Sequence, residues 1–360
     1  MRGVDISQPS LFVMKAVSDF VPKEHPLRAL RLLVDEALDA LDPLFDEMYA
    51  EHGRASIAPE RLIRASLLQI LFTIRSERQL VEHIHFNMLY RWFVGLEMED
   101  AVWHATTFTK NRERLLEHDA FTEFFATVVA MARKRHLLSD EHFSVDGTLL
   151  DAWASHKSFK PKAPDDDDSP GASGQDFHGE TRTNATHQST TDPDAELMRK
   201  SKGTGAALRY GVDHVMENRH GLIVAAGTRP AATVTEREAA IDLLAELPGE
   251  QRKTIGADKG YDTHDFVAGC RGMNFTPHVA QNEKRPGGSA IDQRTTSQAG
   301  YAISMNKRKL IETTFGWVKQ YGGLRRIMLR GMNRVGSRVL LVLGAFNLLR
   351  MRNIAEKAAI

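Results

Sequence analysis

Apolar residues in the first third of the chain recur at the spacing of an α-helix. From Pro26 to about Arg135 they stand three or four positions apart, as Leu30 and Leu33 do. This spacing places them on one face of a helix, and no alternating run of apolar and polar residues interrupts it. The pattern predicts an all-α N-terminal domain over residues 1–136.

After about residue 139 the pattern changes to short β-prone runs separated by helical stretches. Strands are predicted at Phe143 to Asp146, Leu208 to Met216, Leu222 to Thr228, Thr254 to Ala257 and Phe275 to Ala280, and helices at Thr235 or Glu236 to Leu247, Thr263 to Arg271, Asn306 to Gln320 and Arg334 to Met351. Three strands followed by alternating helices and strands are typical of an α/β domain with a mixed central sheet flanked by helices. We assign residues 137–352 to this domain and residues 353–360 to a C-terminal tail.

One segment of the predicted α/β domain has almost no apolar periodicity. It runs from about residue 155 to residue 205 and contains Pro161, Pro164 and four consecutive aspartates at 165–168. A polar stretch rich in proline, serine and threonine buries too little apolar surface to fold by itself. We therefore expect a mobile insertion between the first and second strands of the sheet.

Composition narrows the class of protein. Lysine and arginine balance aspartate and glutamate at 47 each, yet residues 301–360 hold twelve basic residues against two glutamates. Such a local surplus suits a nucleic-acid binder, although ordinary solvated helix faces would also produce it. No apolar run approaches the ~20 residues of a membrane span, and the chain start lacks a signal-peptide core. We expect a cytoplasmic protein without a membrane partner.

The cysteine count restricts the chemistry. Cys270 is the only cysteine, which excludes an internal disulfide and a cysteine-rich zinc site. We expect Cys270 to be a small buried apolar residue.

Two aspartates stand at the ends of predicted strands. Asp146 is followed by Gly147-Thr148, and Asp258 follows the strand that ends at Ala257. Functional sites of α/β sheets gather at strand ends, which makes both residues candidates for a site. A strand-end aspartate can equally serve as a helix cap or a turn residue.

The third candidate acid lies in the predicted helix from Asn306 to Gln320. Positions four and seven apart return to nearly the same face of a helix, so Arg308, Glu312 and Lys319 share one stripe. A surface ladder of weak ion pairs would give the same pattern.

Asp146, Asp258 and Glu312 gathered at one edge of the sheet could not all stay ionised without a counter-charge. Hard oxygen ligands of this kind suit Mg²⁺, with Mn²⁺ as a substitute, and two such ions can act together on a phosphodiester. Arg308 and Lys319 would then hold the phosphate backbone beside the metals.

Further basic residues are candidates for DNA contacts. They lie on a helix of the N-terminal domain and beyond the Glu312 helix, at Lys110, Arg112, Arg114, Arg325, Arg326, Arg330, Arg334 and Arg338. We expect the first three on the outer face of their helix and the others to make salt-sensitive backbone contacts.

With these motifs the sequence resembles the DDE transposases of insertion sequences, in particular the insertion-sequence-five type of the wider insertion-sequence-four superfamily. The residues that carry the resemblance are Arg308, Glu312 and Lys319 in an Arg-x₃-Glu-x₆-Lys motif, Phe315-Gly316-Trp317 within it, Asp-Gly-Thr at 146–148, Ala-Asp-Lys-Gly-Tyr-Asp at 257–262, and the segments 185–187 and 190–193. One position departs from the superfamily pattern. Met305 stands where the superfamily has a tyrosine, and Tyr301 lies one turn earlier.

The resemblance implies a ribonuclease H-like catalytic domain preceded by a helical DNA-binding domain. It implies an endonuclease that binds terminal inverted repeats and transfers freed strands into target DNA, with two Mg²⁺ ions held by Asp146, Asp258 and Glu312. The expected partners are double-stranded DNA and a second copy of the chain, as a dimer or higher oligomer, at the nucleoid. A domesticated DNA-binding regulator and a non-transposing metal nuclease on the same fold are the alternatives.

Overall fold

The computed structural model describes residues 15–49, 56–162, 182–201 and 203–358. Within these ranges the chain up to residue 136 is helical, as predicted. Its helices are α1 (Pro26–Asp39), α2 (Asp42–Met48), α3 (Pro59–Leu71), α4 (Glu77–Phe86), α5 (Met88–Val94), α6 (Ala105–Glu117) and α7 (Ala120–Lys134). No helix in the described part of the chain is long and apolar enough to cross a membrane.

The helix starts follow ordinary capping chemistry. Pro26 and Pro59 occupy the first positions of α1 and α3, where the missing N–H costs nothing. The hydroxyl of Ser76 accepts a hydrogen bond from the backbone N–H of Gln79 at 3.2 Å, and α4 begins there.

The rest of the described chain forms a mixed sheet and the helices that cover it. The strands are β1 (His142–Ala152), β2 (Phe159–Pro161), β3 (His187–Ser189), β4 (Glu196–Met198), β5 (Ala207–Glu217), β6 (Leu222–Pro230), β7 (Lys253–Ala257), β8 (Phe275–Val279) and β9 (Arg326–Ile327). The helices are α8 (Glu236–Ala245), α9 (His264–Gly272), α10 (Gln293–Thr296), α11 (Ala299–Lys307), α12 (Leu310–Gln320) and α13 (Met332–Ala358).

The five main strands lie in the order β6-β5-β1-β7-β8. β5 is antiparallel to both β1 and β6, whereas β7 is parallel to β1 and to β8. In chain order this is 3-2-1-4-5, the order of the ribonuclease H-like fold. The predicted fold class is therefore confirmed.

The sheet is covered on both faces. α8 packs on β5 and β6, α11 packs on β7 and β8, and α12 packs on β1. On β1, β7 pairs with the first residues alone, from His142 to Ser144, and β9 pairs with Asp151 and Ala152. Between them β1 borders an open notch, from Val145 to Leu150. The notch begins one residue before Asp146.

The region from 155 to 205 contains strands that the sequence did not predict. β2 and β3 form a small antiparallel pair, and β4 adds to β5. Asp192 is buried and accepts hydrogen bonds from the Tyr210 hydroxyl at 2.5 Å and from the Gly331 N–H at 3.0 Å. Three-residue strands without apolar periodicity leave no local signal. The four aspartates at 165–168 lie outside the described residues.

Three predicted bounds were wrong. β1 continues to Ala152, so Asp146 lies within the strand and not at its end. The single helix expected from Asn306 to Gln320 is two helices, α11 and α12, which meet at Arg308 and Lys309. α13 continues to Ala358 and so includes most of the segment predicted as a tail.

The N-terminal helices and the sheet share one hydrophobic core. α13 packs against α7, α1 and α3 on one side and against β6 on the other. Phe124 of α7, Leu343 of α13 and Ile223 of β6 belong to the same buried cluster. The two predicted regions are therefore joined by continuous packing.

Candidate active site

Asp146 lies on β1 opposite His214 of β5, beside the open notch. Its carboxylate accepts a hydrogen bond from the adjacent Gly147 N–H at 2.9 Å. The pKa of Asp146 is raised to about 7, mainly by burial and to a smaller extent by the negative charges of Asp258, Glu236 and Glu312, while that hydrogen bond opposes the rise. Asp146 is thus a half-buried acid in a field of other carboxylates.

Asp258 follows the last residue of β7 and begins a short 3₁₀ turn, Lys259–Tyr261. Its carboxylate accepts a hydrogen bond from the Gly260 N–H at 2.7 Å. Asp258 therefore stabilises a turn, as a strand-end aspartate often does. The same turn also places the carboxylate close enough to Asp146 to raise its pKa.

Glu312 lies in the first turn of α12 and is exposed. The chain reaches it through the break at Arg308 and Lys309, where the N–H of Glu312 bonds to the Lys309 carbonyl at 3.3 Å. A hydrogen bond to the third residue back is that of a 3₁₀ turn, which is tighter than an α-helix. Arg308 and Glu312 therefore do not lie on one continuous helix as the sequence predicted. Glu312 still acts electrostatically on Asp146 from across the notch.

The two basic residues of the helix motif lie on either side of these acids. A Cβ placed on Gly256 would lie 3.5 Å from Cβ of Arg308, so Arg308 packs over β7 two residues before Asp258. The ammonium group of Lys319 donates a hydrogen bond to the Thr148 hydroxyl, two residues after Asp146. Burial lowers the pKa of Lys319, with smaller effects from Lys200 and Arg209.

The superfamily tyrosine has no replacement at this point. Met305 is half-buried on α11. The Tyr301 hydroxyl donates to the Val279 carbonyl at 2.9 Å, at the end of β8. Tyr301 is therefore engaged with the sheet.

Sequence reasoning missed a second group of polar residues behind β1. Asp213 of β5 is paired with Gly147 in the strand register, and Arg229 of β6 donates to its carboxylate at 2.7 Å. Glu236, the first residue of α8, lies 3.6 Å from the same guanidinium. A signal existed: Asp213-His214 is a polar pair inside a strand that is otherwise apolar from Val212 to Val215.

The acids fit a divalent cation by their chemistry. Asp146, Asp258 and Glu312 offer only hard oxygen atoms, and the charges of the other two add to burial in raising the pKa of Asp146. In the described part of the chain, no three acidic, histidine or cysteine side chains converge on one point that could hold a metal ion. The three carboxylates lie in one region of the structure but do not form a complete coordination shell for a metal ion.

The remaining basic candidates divide into exposed and internal groups. Lys110, Arg325 and Arg330 are exposed, and Arg326 is exposed beside Trp153, with its guanidinium carbon 4.8 Å from the ring centre. Arg114 lies over the ring of Tyr49.

Two of the predicted DNA contacts, Arg112 and Arg338, are partly buried, and a third, Arg334, is exposed but ion-paired. Arg112 is half-buried and ion-paired with Glu77, so it does not lie on the outer face as predicted. Arg334 pairs with Glu113 at 2.6 Å, and burial lowers the pKa of Arg338 to about 10. These arginines join α13 to α4 and α6.

Two families match the chain. Residues 15–114 match the family described as Transposase domain (DUF772), and residues 172–348 match the family described as Transposase DDE domain. The second range includes Asp258 and Glu312, and Asp146 lies between the two ranges. No curated protein matches the sequence.

Solved structures with similarity to this chain are distant. A piggyBac transposase synaptic complex with hairpin DNA has a TM-score of 0.41 at 9% identity, covering 92% of this chain and 76% of that chain. The Mos1 strand transfer complex has a TM-score of 0.21 at 11% identity, with 93% and 92% covered. A Mos1 mariner paired end complex with Mn has a TM-score of 0.21 at 13% identity, with 95% of each chain covered.

The strand order and the two family matches define the class of this protein as a DNA transposase with a DDE domain. The chain belongs to the DDE transposases of the insertion-sequence type. Domains of this kind use divalent metal ions to cleave and transpose DNA.

Proposed function

We propose that this protein is a transposase of the insertion-sequence-five type that binds the terminal inverted repeats of its element and performs both strand cleavage and strand transfer. The observation that carries the proposal is the convergence of three elements on one acid. Carboxylates from the end of β7 and the start of α12 both act on Asp146 of β1. Clustered carboxylates are what metal-dependent phosphoryl transfer needs, because bound cations offset their mutual repulsion.

In this proposal Asp146, Asp258 and Glu312 hold the divalent cations, Mg²⁺ or Mn²⁺. Two bound ions supply activation of a water or 3′-hydroxyl and neutralise charge at the leaving oxygen. Lys319, fixed to Thr148 beside Asp146, provides a positive charge for a DNA phosphate. Arg308, whose Nε is buried without a hydrogen-bond partner among the described residues, provides a second donor.

The exposed residues Lys110, Arg325, Arg326 and Arg330 would bind the DNA backbone. Cleavage at both ends of an element requires two ends to be held together. We therefore propose that a homodimer or higher oligomer forms the synaptic complex on double-stranded DNA, at the nucleoid.

The test uses a linear duplex that carries both flanks of the gene, with Mg²⁺ or with EDTA. Wild type is expected to nick it at the inverted repeats only when Mg²⁺ is present. Asp146→Asn, Asp258→Asn and Glu312→Gln should each abolish nicking and keep binding in a gel-shift assay. Asp265→Asn, an exposed acid on α9, is the matched control and should nick normally.

Two results would count against the proposal. A triad variant that still nicks the duplex would show that its carboxylate holds no essential metal. Wild type that binds the flanks and never nicks them would indicate a DNA-binding regulator instead.

A further inference from the structure

The side chain of Glu236 reaches directly over Gly147, the residue that follows Asp146. A Cβ built on Gly147 would lie 3.1 Å from Cγ of Glu236 and 2.2 Å from Oδ1 of Asp213. Two acids therefore occupy the space that a side chain at this position would need. This explains why glycine is the middle residue of Asp-Gly-Thr. The same contact brings a further carboxylate to the position next to Asp146.

Arg229 holds this arrangement in place. It is 5% exposed and donates from Nε to Oδ2 of Asp213 at 2.7 Å, while Nη1 donates to the Val234 carbonyl at 2.7 Å. Its Nη2 lies 3.6 Å from Oε1 of Glu236. At that distance the pair is loose, and the Glu236 side chain stays 46% exposed. Glu236 is thus steered by Arg229 and remains free to bind another cation.

Two buried polar atoms in the same space have no hydrogen-bond partner among the described residues. They are Oδ1 of Asp213 and the hydroxyl of Tyr261, and each residue is only 1% exposed. Oδ1 points at Gly147. Burial raises the pKa of Tyr261, with smaller contributions from the charges of Asp213, Glu236, Asp146 and Asp258. Buried polar groups rarely stay unpaired, so these two atoms are available to partner a cation or the waters that it carries.

From this geometry we infer that Glu236 is a fourth carboxylate of the cation site, acting with Asp146 across Gly147. The inference rests on the proposed function, because it assigns a residue to the same site. An acid in the first turn of a helix is also stabilised by the helix dipole. That effect needs only a negative charge at the start of α8, and it gives no reason for Glu236 to extend over Gly147.

The experiment measures the binding of MnCl₂ to the DNA-free full-length protein by isothermal titration calorimetry. Glu236→Gln is expected to weaken Mn²⁺ binding by about tenfold or more, the scale seen when groups that support a metal are removed. Asp146→Asn should weaken it at least as much. Asp242→Asn, an exposed acid two turns along the same helix, is the matched control and should bind as wild type does. Melting followed by circular dichroism verifies that each variant is folded.

Glu236→Asp separates reach from charge. It keeps the charge at the helix start and shortens the side chain by one methylene, so it should lose affinity as Glu236→Gln does. Wild-type affinity in Glu236→Asp would overturn the inference.

The remaining outcomes distinguish the inference from the proposed function. If Asp146→Asn loses Mn²⁺ and Glu236→Gln does not, the fourth carboxylate is refuted and the proposed site stands. If neither variant changes Mn²⁺ binding, both the inference and the proposed metal site fall.

Discussion

The ammonium group of Lys319 on α12 donates a hydrogen bond to the hydroxyl of Thr148 on β1. This contact joins the helix that carries Glu312 to the strand that carries Asp146. It spans 171 residues of sequence, and it explains why a threonine follows Gly147 in the Asp-Gly-Thr motif. The hydroxyl sets the position of the positive charge beside the acids.

Removing either partner should slow strand cleavage. We expect Lys319→Met to lower the cleavage rate by about tenfold, equivalent to ~1.4 kcal/mol, and Thr148→Val to lower it by a smaller factor. Because Thr148 acts through Lys319, the double variant should be no slower than Lys319→Met alone. Single-turnover nicking of the flanking duplex measures all three rates.

The control for this cycle is Thr313→Val on α12. Among the described residues, the Thr313 hydroxyl donates a hydrogen bond to the Leu310 carbonyl of its own helix and to no other group. It should cleave at the wild-type rate. Additive losses in the Thr148 and Lys319 double variant would contradict a role of Thr148 through the ammonium group.

A methyl group at Gly147 should disturb the site and the fold. Gly147→Ala would place Cβ 2.2 Å from Oδ1 of Asp213. Overpacking of this kind typically costs about 1–3 kcal/mol of unfolding free energy. Urea unfolding measures the loss.

Gly316→Ala is the matched control on α12, where a Cβ would meet nothing within 4 Å. It should be neutral or stabilise by up to ~1 kcal/mol, because alanine favours a helix. Equal stability of the Gly147→Ala variant and wild type would show that Asp213 and Glu236 do not fill that space.

Asp213 should make a contribution to the stability of the metal-free protein that falls as pH rises from about 4 to about 7. Burial raises the pKa of Asp213 to about 7, and the nearby Arg229 offsets only part of that effect. In this interval the Asp213 carboxyl keeps a proton in the folded protein that it loses in the unfolded chain, so this group favours unfolding as pH rises. Urea midpoints measured in EDTA at several pH values report the slope.

Asp213→Asn removes this group, so the stability of the variant relative to wild type should rise as pH rises. Asp146, whose pKa is also raised to about 7, titrates in both proteins. The guanidinium of Arg229 keeps its bonds to backbone carbonyls in that variant, including the 2.7 Å bond to Val234. Asp265→Asn should keep the wild-type slope. An unchanged slope in Asp213→Asn would place the raised pKa elsewhere.

The thiol of Cys270 should be inert until the protein unfolds. Cys270 is 0% exposed, and burial raises its pKa to about 12. Since the thiolate is the reactive form, a thiol reagent should label native protein extremely slowly and label it completely in urea. Thr313→Cys in a Cys270→Ala background provides the exposed control and should react at once. Rapid labelling of native wild type would contradict the buried position.

Much of the fold was predictable because the signals are local. Each of the five main strands carries its own apolar run, and Asp258 stands where one of those runs ends. The fold class followed from the order of the elements. Cys270 is buried, as the sequence predicted.

The sequence predictions were wrong where contacts between residues far apart in the chain override the local pattern. Arg308 packs against the backbone at Gly256, and the helix breaks there although its sequence is continuous in helical period. Arg112 pairs with Glu77, 35 residues away, so its side chain is partly buried although it was predicted to face outward. Glu236 lies in an ordinary capping sequence, and only the fold brings it over Gly147.

The packing of α13 bears on how such a protein can be recombined. α13 contributes to the core of the N-terminal helices as well as to that of the sheet. A chimera that exchanged residues 1–136 for those of a relative would set foreign helices against an unmatched α13. New end specificity by module exchange therefore requires that the last helix travel with the first seven, although nearly 200 residues separate them in sequence.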